Sequence, residues 1–557
     1  MSPSEQDLQT QKLYTNLDAI QRTNPVLGER ICWPVGDEHT RFDDSGTLLY
    51  QFHRTWFELE PDATTVAHLG QNCRGDETIF LAGIGLGTQL RDLLERFPHS
   101  SIIAWDRDPW MLRLALRQYD YSQAVLTGKL QFRLGADVLN EPDILNRAEL
   151  VTHHNLGVIY HREIELLKTA PHPKIALLRQ GALYIDDMAN AFRRQGYGVY
   201  TLDTDHLSAE EMEFTVKQLG ARVLGSVNYT RGLAEFCEGA NLKLVCYEID
   251  PSLVHPTPAS SSTSHVHIFS YRKSNVAEFK NAGFANVSYL PLASDIERRC
   301  PQTLEAEDKA MYAPSVSFVG ASLVTDGQTF RDEFIQHYVE WRNQPSAIDE
   351  ATEKLQSAWD EQSRDYSRYV LADALNEQFG DFLAAMKQTH PHLDLEMMAA
   401  QTPAAEKRLS YVATLAPYGI RVWGDTGWAL LREYGVDYTG QYANHHEDLP
   451  KVYSGSTINV DIGRLYQSDI VTMRVFDTLA CGGFLITEHN DALLELFEPD
   501  VELVTYRTAQ ELTAKVDYYL KHPEEARAIA ERGRQAVIER HTMRQRFDSI
   551  FGAAAIS

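Results

Sequence analysis

Asp469 and Asp477 stand eight residues apart, the first just ahead of and the second inside a stretch, SDIVTMRVFDTLACGG, that runs into the strand-like FLIT. A carboxylate at the end of such a helix, just before Cys481-Gly482-Gly483, can accept hydrogen bonds from the ribose hydroxyls of a nucleotide. Arg474 and Asp477 are three apart, so a helix carries both on one exposed face. The same spacing fits an ordinary surface ion pair, stabilising by about 0.5 kcal/mol. The helix follows from local chemistry: Ser468 is the expected N-cap, Val471, Val475 and Leu479 recur at i, i+4 and i+8, and the glycine pair supplies the stop.

From there the chain alternates. FLIT reads as a strand, about 491 to 497 as a helix, ELVTY as a strand, and Thr508-x-x-Glu511 opens another helix with the spacing of a capping box. The stretch from Glu524 through Arg540 is rich in Ala, Glu and Arg at helical period, and His541-Thr542 marks its end. Alternating strands and helices predict a parallel doubly wound α/β sheet, whose ligands bind in the crevice beyond the strand C-termini.

Six segments in order carry a family resemblance: SYRKSNVAEFKNAGFANVSYLPLASD (270–295), SVSFVGAS (315–322), IRVWGDTGW (420–428), EDLPKVYSGSTINVDIG (447–463), RVFDTLACGGFLIT and ERHTMRQR. Through them the chain from about 174 onward resembles the GT-B glycosyltransferases, and within them the CgeB-like (spore-maturation type) family. The resemblance implies two Rossmann-like doubly wound domains, 171–310 on the acceptor side and 311–557 holding a nucleotide-sugar donor, a UDP-sugar first among them, with no metal required. Many retaining members place two glutamates eight apart before Ala-Cys-Gly. Here Asp469 and Asp477 take those places, each shorter by a methylene. By resemblance Asp477 binds the donor ribose and Asp469 lies near the sugar, while Arg474, Gly320, Ser322, Gly424, Asp425 and Lys451 hold the rest of the donor. A sugar-nucleotide diphosphate is anionic, and Arg464, Arg474, Lys451 and Arg331 are the cations to hand, with helix N-termini in support. Each of these cations taken alone also reads as a solvated surface residue.

The acceptor-side half reads strand, turn, helix, strand over 174–203, followed by the strand-like ARVLGSVNY and NLKLVCYEID. The latter ends at Asp250-Pro251, so Glu248 and Asp250 are candidate catalytic groups, including a general base, and equally caps of a strand end. The Ser-rich run at 256–264 reads as a loop. A helical insertion at about 328–412 has two readings, an acceptor-binding lobe or a brace.

The N-terminal third, about 1–170, places Gly83-x-Gly85-x-Gly87 between a strand and a helix, and ends the next strand in Asp106. That outline of a nucleotide-binding turn resembles class I methyltransferases and the methyltransferase-like domain of motility-associated-factor glycosyltransferases. Methyltransferases commonly place an acid two residues before the first glycine, and here that residue is Leu81. The expectation is an additional Rossmann-like scaffold without methyl transfer, with S-adenosylmethionine as the alternative cofactor.

Composition limits the rest. A chain of 557 residues with formal net charge −26 lacks the basic surface that non-specific nucleic-acid or anionic-membrane binding needs. Six cysteines without C-x-x-C spacing, no apolar leader in MSPSEQDLQTQ and no run of about 20 apolar residues point to the cytoplasm, with no membrane span. The histidine pairs at 153–154 and 445–446 lack metal-site spacing, and adjacent side chains of a strand face opposite ways, so structural histidines are expected. The function so implied is sugar transfer from a nucleotide donor to a protein, such as flagellin, or to a surface polysaccharide. The alternatives are a bifunctional methyltransferase-glycosyltransferase and a non-catalytic sugar-nucleotide-binding scaffold.

Overall fold

The computed structural model describes residues 3–34, 40–52, 55–60, 70–181, 183–250, 256, 263–466 and 469–556. Ser468 and most of the Ser-rich run lie outside the described residues. The chain divides into two compact units, Met1–Cys246 and Tyr247–Ile556.

In the first unit four parallel strands lie in the order Leu130–Leu134, Ser101–Asp106, Thr78–Ala82, Ala148–Thr152. The central strand buries every residue from Ile79 to Ala82, as a sheet covered on both faces requires. Its side chains alternate. Ile79 and Leu81 pack with Ala19, Ile20 and Ile31 from the N-terminal helices, while Phe80 and Ala82 pack with Trp105, Tyr160 and Ile164 on the opposite face. Farther on, Ile175–Arg179 pairs in parallel with both Gly198–Leu202 and Val223–Val227.

His153 and His154 correct the expectation of opposite faces, because their rings stack at 4.3 Å. The strand has ended at Thr152, and His153 Nδ1 accepts from the amides of Asn155 and Leu156, opening a turn. Burial and the neighbouring His154 hold the His153 imidazole down at about 3, against an ordinary value of 6.5. Between those two values the unfolded chain binds a proton there that the folded chain does not. Stability therefore falls as pH drops through this window, by at most about 1.4 kcal/mol per unit. The urea midpoint of the first unit should decline between pH 7 and 4.5, and His153→Asn should flatten that decline.

The second unit opens with Val266–Ser270 and Asn286–Tyr289, parallel strands joined by the helix Lys273–Asn281. Its larger sheet has six parallel strands in the order Asp437–Tyr438, Ile420–Trp423, Val316–Val319, Ile458–Asp461, Leu485–Glu488, Val504–Tyr506. Numbered along the chain this order is 3-2-1-4-5-6, so the winding reverses between Val316–Val319 and Ile458–Asp461. A crevice must open there, at the strand C-termini. Val316, Phe318, Ile420, Val422, Ile458, Val460 and Ile486 stand in register across four strands and so share one buried face of the sheet, where they pack with Leu512, Val516 and Ile529 from the C-terminal helices.

Four helices, Val324–Arg342, Ala347–Ser363, Leu371–Thr389 and Leu395–Thr414, fill the connection between the first two strands in place of a single crossover helix. They have their own core, in which Phe334 meets Phe379 and Phe382 edge-on at 5.1 and 5.6 Å.

The helix holding Asp477 is shorter than expected, running from Met473 to Ala480. Ile470 and Val471, read as helical, instead bury themselves ahead of it, and Thr472 is extended. Nor does Thr508 close a full capping box: its hydroxyl accepts from Glu511 N, but the Glu511 carboxylate takes the amide of Arg507. The full box is at Thr542 and Gln545, opening Met543–Ala553.

Candidate functional site

The reversal point is built from two turns. Val316–Val319 leads into Gly320-Ala321-Ser322, and Ile458–Asp461 leads into Ile462-Gly463-Arg464. Gly320 is glycine for space. A Cβ there would be 3.0 Å from an Arg474 terminal nitrogen and 3.2 Å from the Phe318 ring. Arg474 donates from Nε to Asp461 Oδ1 at 2.6 Å, and Asp461 also accepts from the Thr487 hydroxyl at 3.0 Å. The expected pairing of Arg474 with Asp477 on an exposed face is thus replaced by one across the sheet end.

Arg408, from the last inserted helix, reaches the same place and donates to Ala321 O at 2.7 Å and Ile462 O at 3.1 Å. Arg464 donates to the Tyr466 hydroxyl at 2.9 Å. Burial, then the Arg474 and Arg464 charges, press the Arg408 guanidinium down to about 9, with Asp461 opposing them. Three guanidiniums therefore gather around Asp461, while the Glu488 carboxylate at the same sheet end is taken by Lys407. Beside them starts Met473–Ala480, a helix that no side chain caps, because the Thr472 hydroxyl lies 3.4 Å from Asp461 Oδ2 instead. Uncapped N–H groups and surplus positive charge are what an anion needs. Next to this cluster a small cavity of about 80 Å³ is lined by Tyr369, Lys407, Asp461, Arg464, Thr472 and Glu488, among others.

Ser322 and Asp425 are tied to one another: Ser322 N donates to Asp425 Oδ2 at 2.6 Å, and their side chains also bond. Asp425 in addition caps the turn at Gly427 N. Gly424 packs against this tie, where a Cβ would overlap the Gly320 carbonyl oxygen and stand 2.6 Å from Trp428 Nε1. Backbone cannot yield as a flexible side chain does, so Gly424→Ala should cost about 1–3 kcal/mol in a chemical-denaturation experiment.

Asp477 is 4% exposed. Ser294 Oγ donates to its Oδ1 at 2.6 Å and Arg299 Nε to its Oδ2 at 3.0 Å. His445 is exposed, yet partial desolvation and then the Arg299 charge press its imidazole down, with Asp477 opposing, which brings the 442–448 loop to the Asp477 neighbourhood. Asp469 pairs with Arg272 at 2.8 Å and accepts from Ser274 at 3.2 Å. Glu248 is buried at its strand end, and Asp250 beyond it is exposed, where its charge, after burial itself, pushes up the Tyr271 phenol next to Arg272. The structure therefore groups Gly320, Arg474, Ser322, Gly424 and Asp425 at the sheet end, and Asp469 with the Arg272 segment. Lys451 turns away from these groups to Asp308, at 3.0 Å, and Arg331 to Asp332.

Sequence reasoning missed Arg408, Asp461, Ser294 and Arg299. Asp461 carried a signal, as the acidic last residue of the short strand INVD. Arg408 and Arg299 carried none, since a lone arginine in a helical or loop segment is ordinarily solvated.

In the first unit Asp106 is fully buried and accepts from Ile84 N, Asp108 N and the Tyr160 hydroxyl, so none of its atoms reaches the surface. The glycine turn is equally filled: a Cβ at Gly83 would be 2.7 Å from Leu156 and one at Gly85 would overlap His153. Among the described residues no three His, Cys, Asp or Glu converge as a metal site, and no helix is long and apolar enough to cross a membrane.

Residues 403–552 match the model of a family described as glycosyl transferase-like. No curated protein sequence matches the chain. Among solved structures, HepE of Anabaena in complex with UDP-glucose is similar over 68% of this chain and 99% of its own, at 10% identity and a TM-score of 0.41. A sucrose-phosphate synthase from Thermosynechococcus elongatus is similar over 68% and 98%, at 12% identity and a TM-score of 0.39. The MAf glycosyltransferase from Magnetospirillum magneticum AMB-1 is similar over 51% and 56%, at 12% identity and a TM-score of 0.20. The matched stretch supplies Arg408, Asp461, Arg464, Arg474 and Asp477, and over that stretch the chain is similar to the glycosyl transferase-like family.

Proposed function

We propose that the protein transfers a sugar from a nucleotide-sugar donor to a protein or surface-polysaccharide acceptor, with flagellin as one protein of that kind. One observation carries the reading: three arginines gathered around Asp461 at the reversal point of a 3-2-1-4-5-6 sheet, beside an uncapped helix start. The donor diphosphate fits that charge, and as the sugar departs the negative charge growing on the diphosphate meets Arg474 and the first turn of Met473–Ala480. Asp477 takes the ribose and Asp469 lies by the sugar, where its pairing with Arg272 holds it in place. Gly320 lets backbone approach the donor, Gly424 lets its strand end close on Gly320 beside it, and Ser322 and Asp425 fix the turn. Glu248 or Asp250 serves the acceptor, one of them as general base. Residues 311–557 form the donor domain, 171–310 the acceptor-side domain and 1–170 a Rossmann-like scaffold. A UDP-sugar is the first donor to try, and the reaction proceeds without a divalent ion.

The test is a binding panel of UDP-, GDP-, dTDP- and CMP-sugars followed by nucleotide release, with and without EDTA. Binding of one nucleotide class, lost in Arg474→Gln, supports the reading. No binding of any sugar nucleotide sinks it, and binding without release leaves a sugar-nucleotide scaffold in its place.

A further inference from the structure

Helix Leu395–Thr414 lays two adjacent cations against the strand ends. Lys407 is balanced: it pairs with Glu488 at 2.5 Å, and the other oxygen of Glu488 accepts from Gly463 N at 3.1 Å. Arg408 is not. Its terminal nitrogens bond one carbonyl on each side of the reversal point, Ala321 O and Ile462 O, and its Nε has no partner among the described residues. The residue is 3% exposed. At neutral pH the guanidinium is still protonated, so the cost of burying it beside Arg474 and Arg464 is relieved by an anion and not by loss of a proton. Two carbonyls give Arg408 geometry but no counter-charge.

We propose that Arg408 is a positioning residue for the donor diphosphate, holding the 320–322 and 462–464 turns at a set spacing and keeping a permanent positive charge beneath them. On this view the helical insertion is part of the anion site and not only a brace. The inference rests on the donor reading above and deepens it, since it says which element outside the sheet makes the crevice competent.

The experiment uses the full chain and its Arg408→Gln and Arg408→Lys variants. Isothermal titration is run with UDP, GDP and dTDP, with the matching nucleosides, and with inorganic pyrophosphate, and each variant is checked for a native melting transition. Loss of a buried charged donor is expected to weaken the nucleoside diphosphate and pyrophosphate roughly tenfold or more in Arg408→Gln, with nucleoside affinity unchanged. Arg408→Lys keeps the charge but cannot bridge both carbonyls, so it should lose part of the affinity. If Arg408→Gln does not fold, the lysine variant decides: pyrophosphate weakened with the nucleoside unchanged supports the proposal. Diphosphate affinity unchanged in a folded variant, or a nucleoside weakened to the same degree, overturns it. Pyrophosphate binding that depends on Arg408 in a protein that binds no nucleotide would retain the anion site and reject the nucleotide donor. Nucleotide binding indifferent to Arg408 would do the reverse, and a chain that binds neither loses both.

Discussion

Replacing Arg474 by glutamine is expected to lower kcat/KM for the sugar-nucleotide donor by roughly 10²–10³-fold, the usual cost of removing one donor aimed at charge that grows in the transition state. The position of the side chain is the reason. Nε is held by Asp461, and a terminal nitrogen lies over Gly320, on the sheet-end side where the winding reverses. The fold should tolerate the change. Asp461 keeps the Thr487 hydroxyl and remains in the field of Arg408 and Arg464, so the stability loss should be about 1–2 kcal/mol. Arg474→Lys should be intermediate, since it retains charge without the planar fork that can hold Asp461 and an anion together. Steady-state donor hydrolysis and a urea titration separate the effects. A glutamine variant with unchanged turnover, or one whose activity falls only as far as its stability does, would remove Arg474 from the chemistry.

Asp477→Ala should be the most destabilising single change in the site, costing about 3–5 kcal/mol, because it leaves a buried cation unpaired. Arg299 is 9% exposed, its Nε bonds Asp477, and one of its terminal nitrogens already lacks a partner among the described residues. Ser294 loses its acceptor at the same time, and Ser294 also meets the C-terminal segment through the amide of Met543, at 2.8 Å. The damage should therefore spread from the helix to the packing of Met543–Ala553. Asp477→Asn keeps the shape and one acceptor, so it should cost less. It is the better probe of ribose binding, for which the loss of a charged acceptor predicts roughly 10- to 100-fold weaker donor affinity. Urea midpoints of the two variants and donor titrations of the asparagine variant give the comparison. Equal midpoints for the wild type and the alanine variant would show that the Arg299 pair contributes nothing. Full donor affinity in the asparagine variant would move the ribose elsewhere.

The motifs around Asp477 show how far a sequence reads. SVSFVGAS, IRVWGD and INVD are short runs rich in β-branched and aromatic residues closed by glycine or acid, the pattern of a parallel strand covered on both faces whose C-terminal end meets a turn. Gly320 and Gly424 were legible as the ends of their strands, but the protein atoms packed against them were not. The helix at Asp477 was legible in kind but not in its start. Val471 matches the helical apolar stripe of Val475 and Leu479, and only the burial of Ile470 and Val471 ahead of the helix assigns them to the turn that leaves Met473–Ala480 uncapped. His153 and His154 fail likewise: alternation holds inside a strand, and theirs ended one residue earlier.

Local pattern by itself determined the α/β class and the strands of the larger sheet in the second unit, because periodicity and glycine placement act over a few residues. Charge pairing was decided by the tertiary structure alone. Arg474 chose Asp461 over Asp477, Asp477 took Ser294 and Arg299 from about 180 residues away, and Arg408 arrived from an inserted helix to bridge two strand ends. The Coulomb energy of a pair depends on distance and burial, and neither is set by spacing along the chain.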